Sequence, residues 1–330
     1  MTGRVCWKNL AKAQRCEEEG IRFRLKSLKN TMRKLADYFQ ANQIDKVKIM
    51  VQMFSLRLSV FPKNCYMKKA ISLFLVSLTS IILSAHEFWL QPDKFMYNVG
   101  DEINIKLMVG ENFEGEDWIG DSSKVQQLII FQHDVQDDLS KNISGTGDSL
   151  QFNCYEEGNA MVAFSSKNSF LQLDAAKFND YLKEDGLQNA IDYRQHHDEM
   201  DSASREYYQR SVKTLIQIGS KSDNIFSKET NLPLDIIPLS NPYLIKKEKK
   251  LSVKIFFKKE ILANALIKIW HHEDNKTEEK NLMTNERGEI SFDVSPKGRW
   301  MVSTVKMEHL GNYEKANWQS YWGSLTWGYY

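Results

Sequence analysis

A series of short runs in which apolar and polar residues alternate follows residue 86, and this pattern limits the fold more than any other feature. Alternation with a period of two places apolar side chains on one face of a β-strand. Turn residues such as Gly100-Asp101 and Gly145 separate the runs, a spacing typical of antiparallel sandwiches. The runs lie at 102–109, 125–131, 149–152, 159–164, 251–257, 265–271, 280–284, 289–294, 300–307 and 321–327.

The segment between the two groups of runs has apolar residues at helical spacing. This spacing predicts one helix from Asp174 to Ala190 and another from Asp201 to Ile218. The polar residues 195–201 between them are expected to form an exposed loop. We therefore predict a helical insertion at about 174–218.

Residues that break or bend the chain are concentrated between Asn231-Leu232-Pro233 and Asn241-Pro242, which indicates a domain boundary. The predicted fold class is mainly β, with two β-sandwich domains of Ig-like or transthyretin-like type. The first covers 86–235 and contains the helical insertion, and the second covers 240–330.

The segment 67–85 has the pattern of a cleavable secretory signal. Lys68 and Lys69 precede an apolar run at 70–83, and the small residues Ser84 and Ala85 follow it. The apolar run is shorter than the roughly 20 residues that span a bilayer. We therefore expect export to the periplasm, a mature chain that begins at His86, and no stable membrane insertion after cleavage.

Residues 1–66 differ in composition from the rest, with 14 Lys and Arg against 5 Asp and Glu. A basic amphipathic helix over 16–54 would suit a membrane surface or a nucleic acid. A signal peptide must be N-terminal, however. We therefore interpret 1–66 as an over-extended gene model, or otherwise as an unstructured or helical extension, and expect translation to begin at Met67.

The net charge of +1 for the whole chain hides an acidic mature protein. Residues 86–330 hold 28 Lys and Arg against 38 Asp and Glu, a net charge of −10. This charge argues against a nucleic-acid partner and favours cations.

Cys154 is the one cysteine of residues 86–330, so no internal disulfide is possible in this part of the chain. The sequence contains no glycine-rich phosphate loop, GxSxG elbow or evident catalytic triad, so hydrolase and nucleotide chemistry receive little support.

A terminal His86 is the residue most suggestive of chemistry. It would offer an α-amine with a pKa of about 8 and an imidazole with a pKa of about 6.5 on one residue, and both nitrogens can chelate a metal ion. A further histidine or carboxylate would complete a site. The candidate metal ligands are His86, Glu87, His272 and His309.

The other histidines and the aromatic C-terminus are less specific. No HxxxH or HExxH spacing occurs, and solvated or hydrogen-bonded histidines are the simpler interpretation of His133, His196-His197 and His271. The tryptophans and tyrosines between Trp318 and Tyr330 suit either a sandwich core or a ligand groove.

The motif His86-Glu87-Phe88-Trp89-Leu90-Gln91-Pro92 resembles the start of the DUF4198 family of exported bacterial proteins. The resemblance continues through 170–187, Arg205-Glu206-Tyr207, Asn241-Pro242-Tyr243 and 318–322. It implies a periplasmic component of cobalt or nickel uptake systems, made of two sandwiches, with His86 at the family's histidine. The chain departs from the family pattern at Lys306, where a histidine is expected, and at Gln319, where an acidic residue is common.

Three functions remain open at this stage. The first is a non-enzymatic periplasmic protein that binds nickel, cobalt, zinc or copper and supplies it to a membrane transporter. The second is a copper-dependent oxidative enzyme, which also uses an N-terminal histidine chelate. The third is a module that binds a glycan or a protein without metal. In the third, Lys213 is structural and is expected to pair with Glu206.

Overall fold

A computed structural model describes residues 87–118, 120, 122–133, 135–245, 249–311 and 315–330. The predictions for 1–66, for the signal at 67–85 and for His86 lie outside this range. The described residues form α1 (Ala175–Glu184), α2 (Gln188–His196), short 3-10 helices at Ser122–Lys124, Ile225–Ser227 and Pro242–Leu244, and the following strands. These are β1 (Glu87–Pro92), β2 (Met96–Tyr97), β3 (Glu102–Glu111), β4 (Glu114–Asp117), β5 (Val125–Gln132), β6 (Val135–Asp138), β7 (Ser149–Asn153), β8 (Gly158–Ser166), β9 (Ser169–Leu173), β10 (Ser204–Ile218), β11 (Leu234–Pro238), β12 (Lys249–Phe257), β13 (Glu260–Ile261), β14 (Leu266–Glu273), β15 (Lys276–Met283), β16 (Glu289–Val294), β17 (Arg299–His309) and β18 (Trp318–Gly328).

A ten-stranded sheet forms the centre of the fold. Its main path runs β15-β14-β17-β18-β10-β8-β5-β6, and β2 and β9 also pair with β10. The pairing of β10 with β18 is parallel, whereas β18 pairs with β17 and β8 pairs with β5 in antiparallel fashion. All residues of β8 are buried. Its central residues 160–164 form a continuous apolar run, because both faces of the strand are covered.

Two four-stranded sheets pack against opposite faces of the central sheet. The sheet of β1, β3, β4 and β7 contributes Phe88, Leu90 and Leu107 to a core with Val162 and Val212. The sheet of β11, β12, β13 and β16 packs against the residues of odd number on β8, which include Met161 and Ala163. The alternation of side chains along β8 thus divides its residues between two cores.

The edge of β1 is covered by side chains of β18. The hydroxyls of Ser324 and Thr326 donate to the carbonyl oxygens of Phe88 and Leu90 at 2.7 and 2.8 Å. An uncovered edge strand would present unpaired backbone groups, so these contacts protect β1 and hold it against the central sheet.

The two helices cover one end of β17 and β18. Asp174 caps α1 by accepting from the backbone N–H of Lys177 at 3.0 Å. Gly186 has a φ of +63° and separates α1 from α2. Phe178 and Leu182 are buried against Trp318 and Met307 in a small separate core. The predicted single helix over 174–190 is therefore two helices joined by a tight turn.

The prediction of a helix over 201–218 is wrong, because residues 204–218 form β10, the longest strand described. Both faces of β10 are buried towards its C-terminal end, so its sequence lacks a clear period of two. The segment is rich in tyrosine, valine, threonine and isoleucine, which favour strands. The helical insertion thus covers 175–196, not the whole range 174–218.

The mainly β class is confirmed, whereas the division into two sandwiches is not. The strands β17 and β18, from the predicted second domain, share a sheet with β5, β8 and β10 of the first. The predicted boundary itself contains β11, which pairs with β12. The described residues from 87 to 330 belong to one compact unit.

Candidate functional site

An acidic hairpin is formed by β3 and β4. Its loop consists of Asn112 and Phe113, whose φ angles are +55° and +59°. Two successive residues with positive φ are typical of a type I′ hairpin turn. Beside the loop, a Cβ atom on Gly110 would lie 2.1 Å from the carbonyl oxygen of Glu114. A glycine is therefore required where the two strands approach each other.

The ring of Phe113 fixes this turn to the rest of the fold. The side chain is buried and packs edge-on against Trp89, with ring centroids 5.8 Å apart. The guanidinium of Arg299 also lies over the ring of Phe113, 4.9 Å from its centroid. A positive φ is costly for a bulky residue, and this burial compensates for it.

Three carboxylates of the hairpin share one face of the sheet. The register pairs Val109 with Glu116 and Glu111 with Glu114. Cross-strand partners lie on the same face, and so do alternate residues of one strand. Glu111, Glu114 and Glu116 are therefore on the face of Val109, which lies opposite Phe88 on β1. The structure thus gathers negative charge beside the first described residues of the chain.

A cavity of about 660 Å³ lies against this face. The three carboxylates line one part of it, and Tyr208 and Arg210 line another part from β10. The guanidinium of Arg210 lies 4.5 Å from the centroid of the Phe88 ring and 5.4 Å from that of Tyr208. The cavity therefore has an acidic wall and a basic wall. We call it the hairpin cavity.

Glu87 points away from the hairpin cavity and belongs to a buried charge cluster. Neighbouring residues of a strand face opposite sides, so Glu87 does not share the face of Phe88. Its Oε1 atom lies 3.9 Å from Nζ of Lys268, which also bonds Oδ1 of Asp185 at 2.6 Å. Burial raises the pKa of Glu87 to about 8, although Lys268 acts in the opposite direction.

Two further carboxyl groups of this region have raised pKa values. Burial raises the pKa of Asp185 to about 6, against the influence of Lys268. Burial also raises the pKa of Glu206 to about 7, although Ser320 and Tyr181 donate hydrogen bonds to it. Lys213 does not pair with Glu206 as expected. Instead it pairs with Asp235 at 2.5 Å.

The raised pKa values predict that the protein becomes less stable as the pH rises from 5 to 8. An acid whose pKa is higher in the folded state binds more protons there, so its stabilising contribution is full below pH 4 and is lost as the pH rises through the folded pKa. In Glu87→Gln the decline should be shallower by about 1 kcal/mol per pH unit. Urea unfolding at several pH values measures this slope. Glu286→Gln, an exposed control, should keep the wild-type slope, and an unchanged slope in Glu87→Gln would contradict the account.

The structure does not bring the predicted ligands His272 and His309 together. His272 pairs with Arg299 at the start of β17, and His309 is the last residue of that strand. At about 3.3 Å per residue the two lie on the order of 30 Å apart. Glu87 contacts Lys268, which lies four residues before His272 on β14 and thus about 13 Å from it. No single metal ion can contact all three.

Each of the two histidines has local partners. His272 contacts Thr277 through Nδ1 at 2.8 Å, and burial together with the charge of Arg299 lowers its pKa. The ring of His309 stacks on Tyr193, with centroids 4.0 Å apart, and burial lowers its pKa as well. The backbone N–H of Gly311 donates to Nδ1 of His309 at 3.1 Å. Within the described ranges, no group of three or more His, Cys, Asp or Glu side chains is arranged to hold a metal ion.

Several other sequence expectations can be compared with the structure. Trp318 and Trp327 are fully buried, so these rings fill the core and do not line an open groove. Cys154 is buried and unpaired, and burial raises its pKa to about 12. Among the helices that the structure describes, none is long and apolar enough to cross a membrane. Sequence reasoning assigned no role to Arg210 and missed the acidic hairpin. The cluster of Glu111, Glu114, Glu116 and Asp117 was the available signal for the hairpin.

The described residues thus define a mainly β protein in which three sheets pack in layers and an acidic hairpin borders a cavity. The chain belongs to the family described as a domain of unknown function, DUF4198, which matches residues 83–308. A search of curated proteins found no match.

Two solved structures show remote similarity to this chain. A DUF4785 family protein from Legionella pneumophila is 8% identical, with a TM-score of 0.21; the similarity covers 64% of this chain and 50% of that one. Dimeric latent PorU from Porphyromonas gingivalis is 10% identical, with a TM-score of 0.16; the similarity covers 72% of this chain and 20% of that one. The chain thus spans half or less of the length of these proteins.

Proposed function

We propose that the protein is exported to the periplasm, where it binds a divalent transition metal ion and supplies it to an uptake transporter. Nickel, cobalt, zinc and copper are the candidate ions, and His86 is the anchor ligand. One observation carries the proposal. The chain of His86 joins the fold at the end of the sheet where three carboxylates share a face.

The register of β1 and β3 defines this end of the sheet. Glu87 is the first residue of β1 and lies opposite Gly110, and β3 continues from Gly110 to Glu111. Glu114 pairs with Glu111 across the hairpin. Glu111 and Glu114 therefore lie one register position beyond the point where the chain of His86 joins β1.

The carboxylate oxygens of the hairpin and the nitrogen atoms of a terminal His86 are complementary types of metal ligand. The three carboxylates supply negative charge, but they do not by themselves form a group that could hold a metal. The amine and imidazole of a terminal His86 would supply two nitrogen ligands, which nickel, copper and zinc prefer to oxygen alone. The net charge of −10 for residues 86–330 attracts cations to the protein as a whole.

The proposed ligand set differs from the one that the sequence suggests beyond His86. Glu87 faces Lys268 in the buried charge cluster. His272 of β14 pairs with the first residue of β17, whereas His309 is the last residue of β17. The hairpin carboxylates Glu111, Glu114 and Glu116 take their place in the proposal.

Titration of the exported protein with each of the four ions by calorimetry tests the proposal. The triple variant Glu111→Gln/Glu114→Gln/Glu116→Gln should bind at least tenfold more weakly, because it removes the carboxylates but leaves His86. The control variant Glu229→Gln/Glu260→Gln/Glu286→Gln makes the same change of charge at exposed positions on other elements and should bind as the wild type does. Absence of micromolar binding to all four ions, or an equal loss in both triple variants, would refute the metal site.

A further inference from the structure

Arg210 is a partly buried charge that lines the hairpin cavity without a counter-charge among the described residues. Its guanidinium lies against the rings of Phe88 and Tyr208. Within the described part of the chain, no carboxylate forms an ion pair with it and no side chain accepts a hydrogen bond from its guanidinium. Its backbone N–H donates to the hydroxyl of Ser166 at 3.0 Å, which fixes the main chain but leaves the charged group unpaired.

The surroundings of the guanidinium of Arg210 reduce its contact with water but supply no counter-charge among the described residues. Burial lowers the pKa of Arg210, which reflects the loss of water around the charged form. Buried charges in proteins are normally paired, since removal from water is costly. The planar guanidinium with its parallel N–H groups fits a carboxylate in a bidentate manner. An anionic ligand would therefore provide the negative charge that no described residue places beside Arg210.

Other polar groups line the hairpin cavity beside Arg210, and one of them, Lys124, is basic. Ser169 lies opposite Tyr208 in the pairing of β9 with β10, and both line the cavity together with Lys124. The acidic hairpin lines another part of the cavity. A ligand with negative charge alone would be repelled by that wall, so the cavity favours a ligand that also carries a positive centre.

We propose that the hairpin cavity binds a small carboxylate whose anionic end pairs with Arg210 and whose positive end lies against Glu111, Glu114 and Glu116. The positive end is either the ammonium group of an amino acid or a metal ion that the carboxylate coordinates. The volume of about 660 Å³ is within the range of small-molecule sites. The second form of the ligand rests on the proposed metal-binding function, whereas the first does not.

Calorimetry with four probes distinguishes the two forms. L-alanine carries a carboxylate and an ammonium group, acetate carries the carboxylate alone, and nickel is added either alone or with citrate. We expect L-alanine or nickel with citrate to bind at least tenfold more tightly than acetate. The probe that binds identifies the positive end.

Substitution of Arg210 tests the residue itself. Arg210→Gln should bind the favoured probe at least tenfold more weakly, and Arg210→Lys, which keeps the charge but not the planar fork, should show an intermediate loss. Arg287→Gln is a matched control in an exposed turn and should bind as the wild type does. The midpoint of thermal unfolding, measured without ligand, verifies that each variant is folded. If Arg210→Gln does not fold, the affinity of Arg210→Lys is compared with that of the wild type instead.

The outcomes separate this inference from the proposed function. If L-alanine binds through Arg210 while no metal binds, the carboxylate site is supported and the metal function is wrong. If nickel binds alone but no carboxylate binds, or if carboxylates bind equally to the wild type and Arg210→Gln, the carboxylate site is wrong and the metal function stands. Equal binding of acetate and L-alanine would overturn the role of the acidic wall.

Discussion

Replacement of Lys213 by methionine is expected to lower the free energy of unfolding by about 3–5 kcal/mol. Lys213 lies on β10 of the central sheet, and its Nζ atom contacts Oδ1 of Asp235 on β11 at 2.5 Å. Both side chains are almost completely buried, with exposed fractions of 1% and 6%. The pair therefore links the central sheet to the sheet of β11, β12, β13 and β16 through the core.

The large effect follows from the charge that the substitution leaves behind. Asp235 also accepts hydrogen bonds from the backbone N–H and the hydroxyl of Thr230, at 2.8 and 2.9 Å, but these neutral donors do not balance its charge. The double variant Lys213→Met/Asp235→Asn keeps an acceptor for Thr230 and removes the unpaired charge. It should be more stable than Lys213→Met alone.

Urea unfolding of these variants measures the effect, and a surface pair supplies the matched control. Lys276 contacts Glu278 at 2.6 Å, a similar distance, but the two side chains are 74% and 65% exposed. Lys276→Met should therefore cost less than about 1 kcal/mol. If the two methionine variants lose the same free energy, burial is not the reason for the strength of the Lys213–Asp235 pair.

Replacement of His86 by alanine is expected to weaken metal binding by at least a hundredfold. The proposed site draws an imidazole nitrogen from His86 and chelates the ion between that nitrogen and the α-amine, so the substitution removes one ligand and the chelate ring. His133→Ala is the control, because His133 lies on the surface and its Nε2 contacts the carbonyl oxygen of Glu157 at 2.7 Å. Calorimetric titration measures the metal affinity of both variants. An affinity in His86→Ala within threefold of the wild type would exclude His86 as the anchor.

The strands that the sequence reveals are those with one polar face. β3 and β12 alternate clearly between exposed and buried residues, and the period of two predicts them both. The pattern fails for β10, since its C-terminal half is buried by both neighbouring layers. The local sequence contains no information on which layers cover a strand, and this is why a strand was predicted to be a helix.

The same limit applies to the candidate site. The motif around His86 and Glu87 directs attention to the start of β1, but the register of β1 determines that Glu87 faces Lys268. Arg210 comes to the hairpin cavity from β10, about a hundred residues further along the chain than the acidic hairpin. Contacts between such distant segments depend on sheet order, which the spacing of residues does not reveal.

A native mass spectrum of the exported protein, recorded after titration with nickel, cobalt, zinc or copper, tests the central claim most directly. The account predicts a chain that begins at His86 and carries one divalent metal ion. A mature chain that begins at another residue, or a chain that begins at His86 but retains none of the four metals, would contradict it.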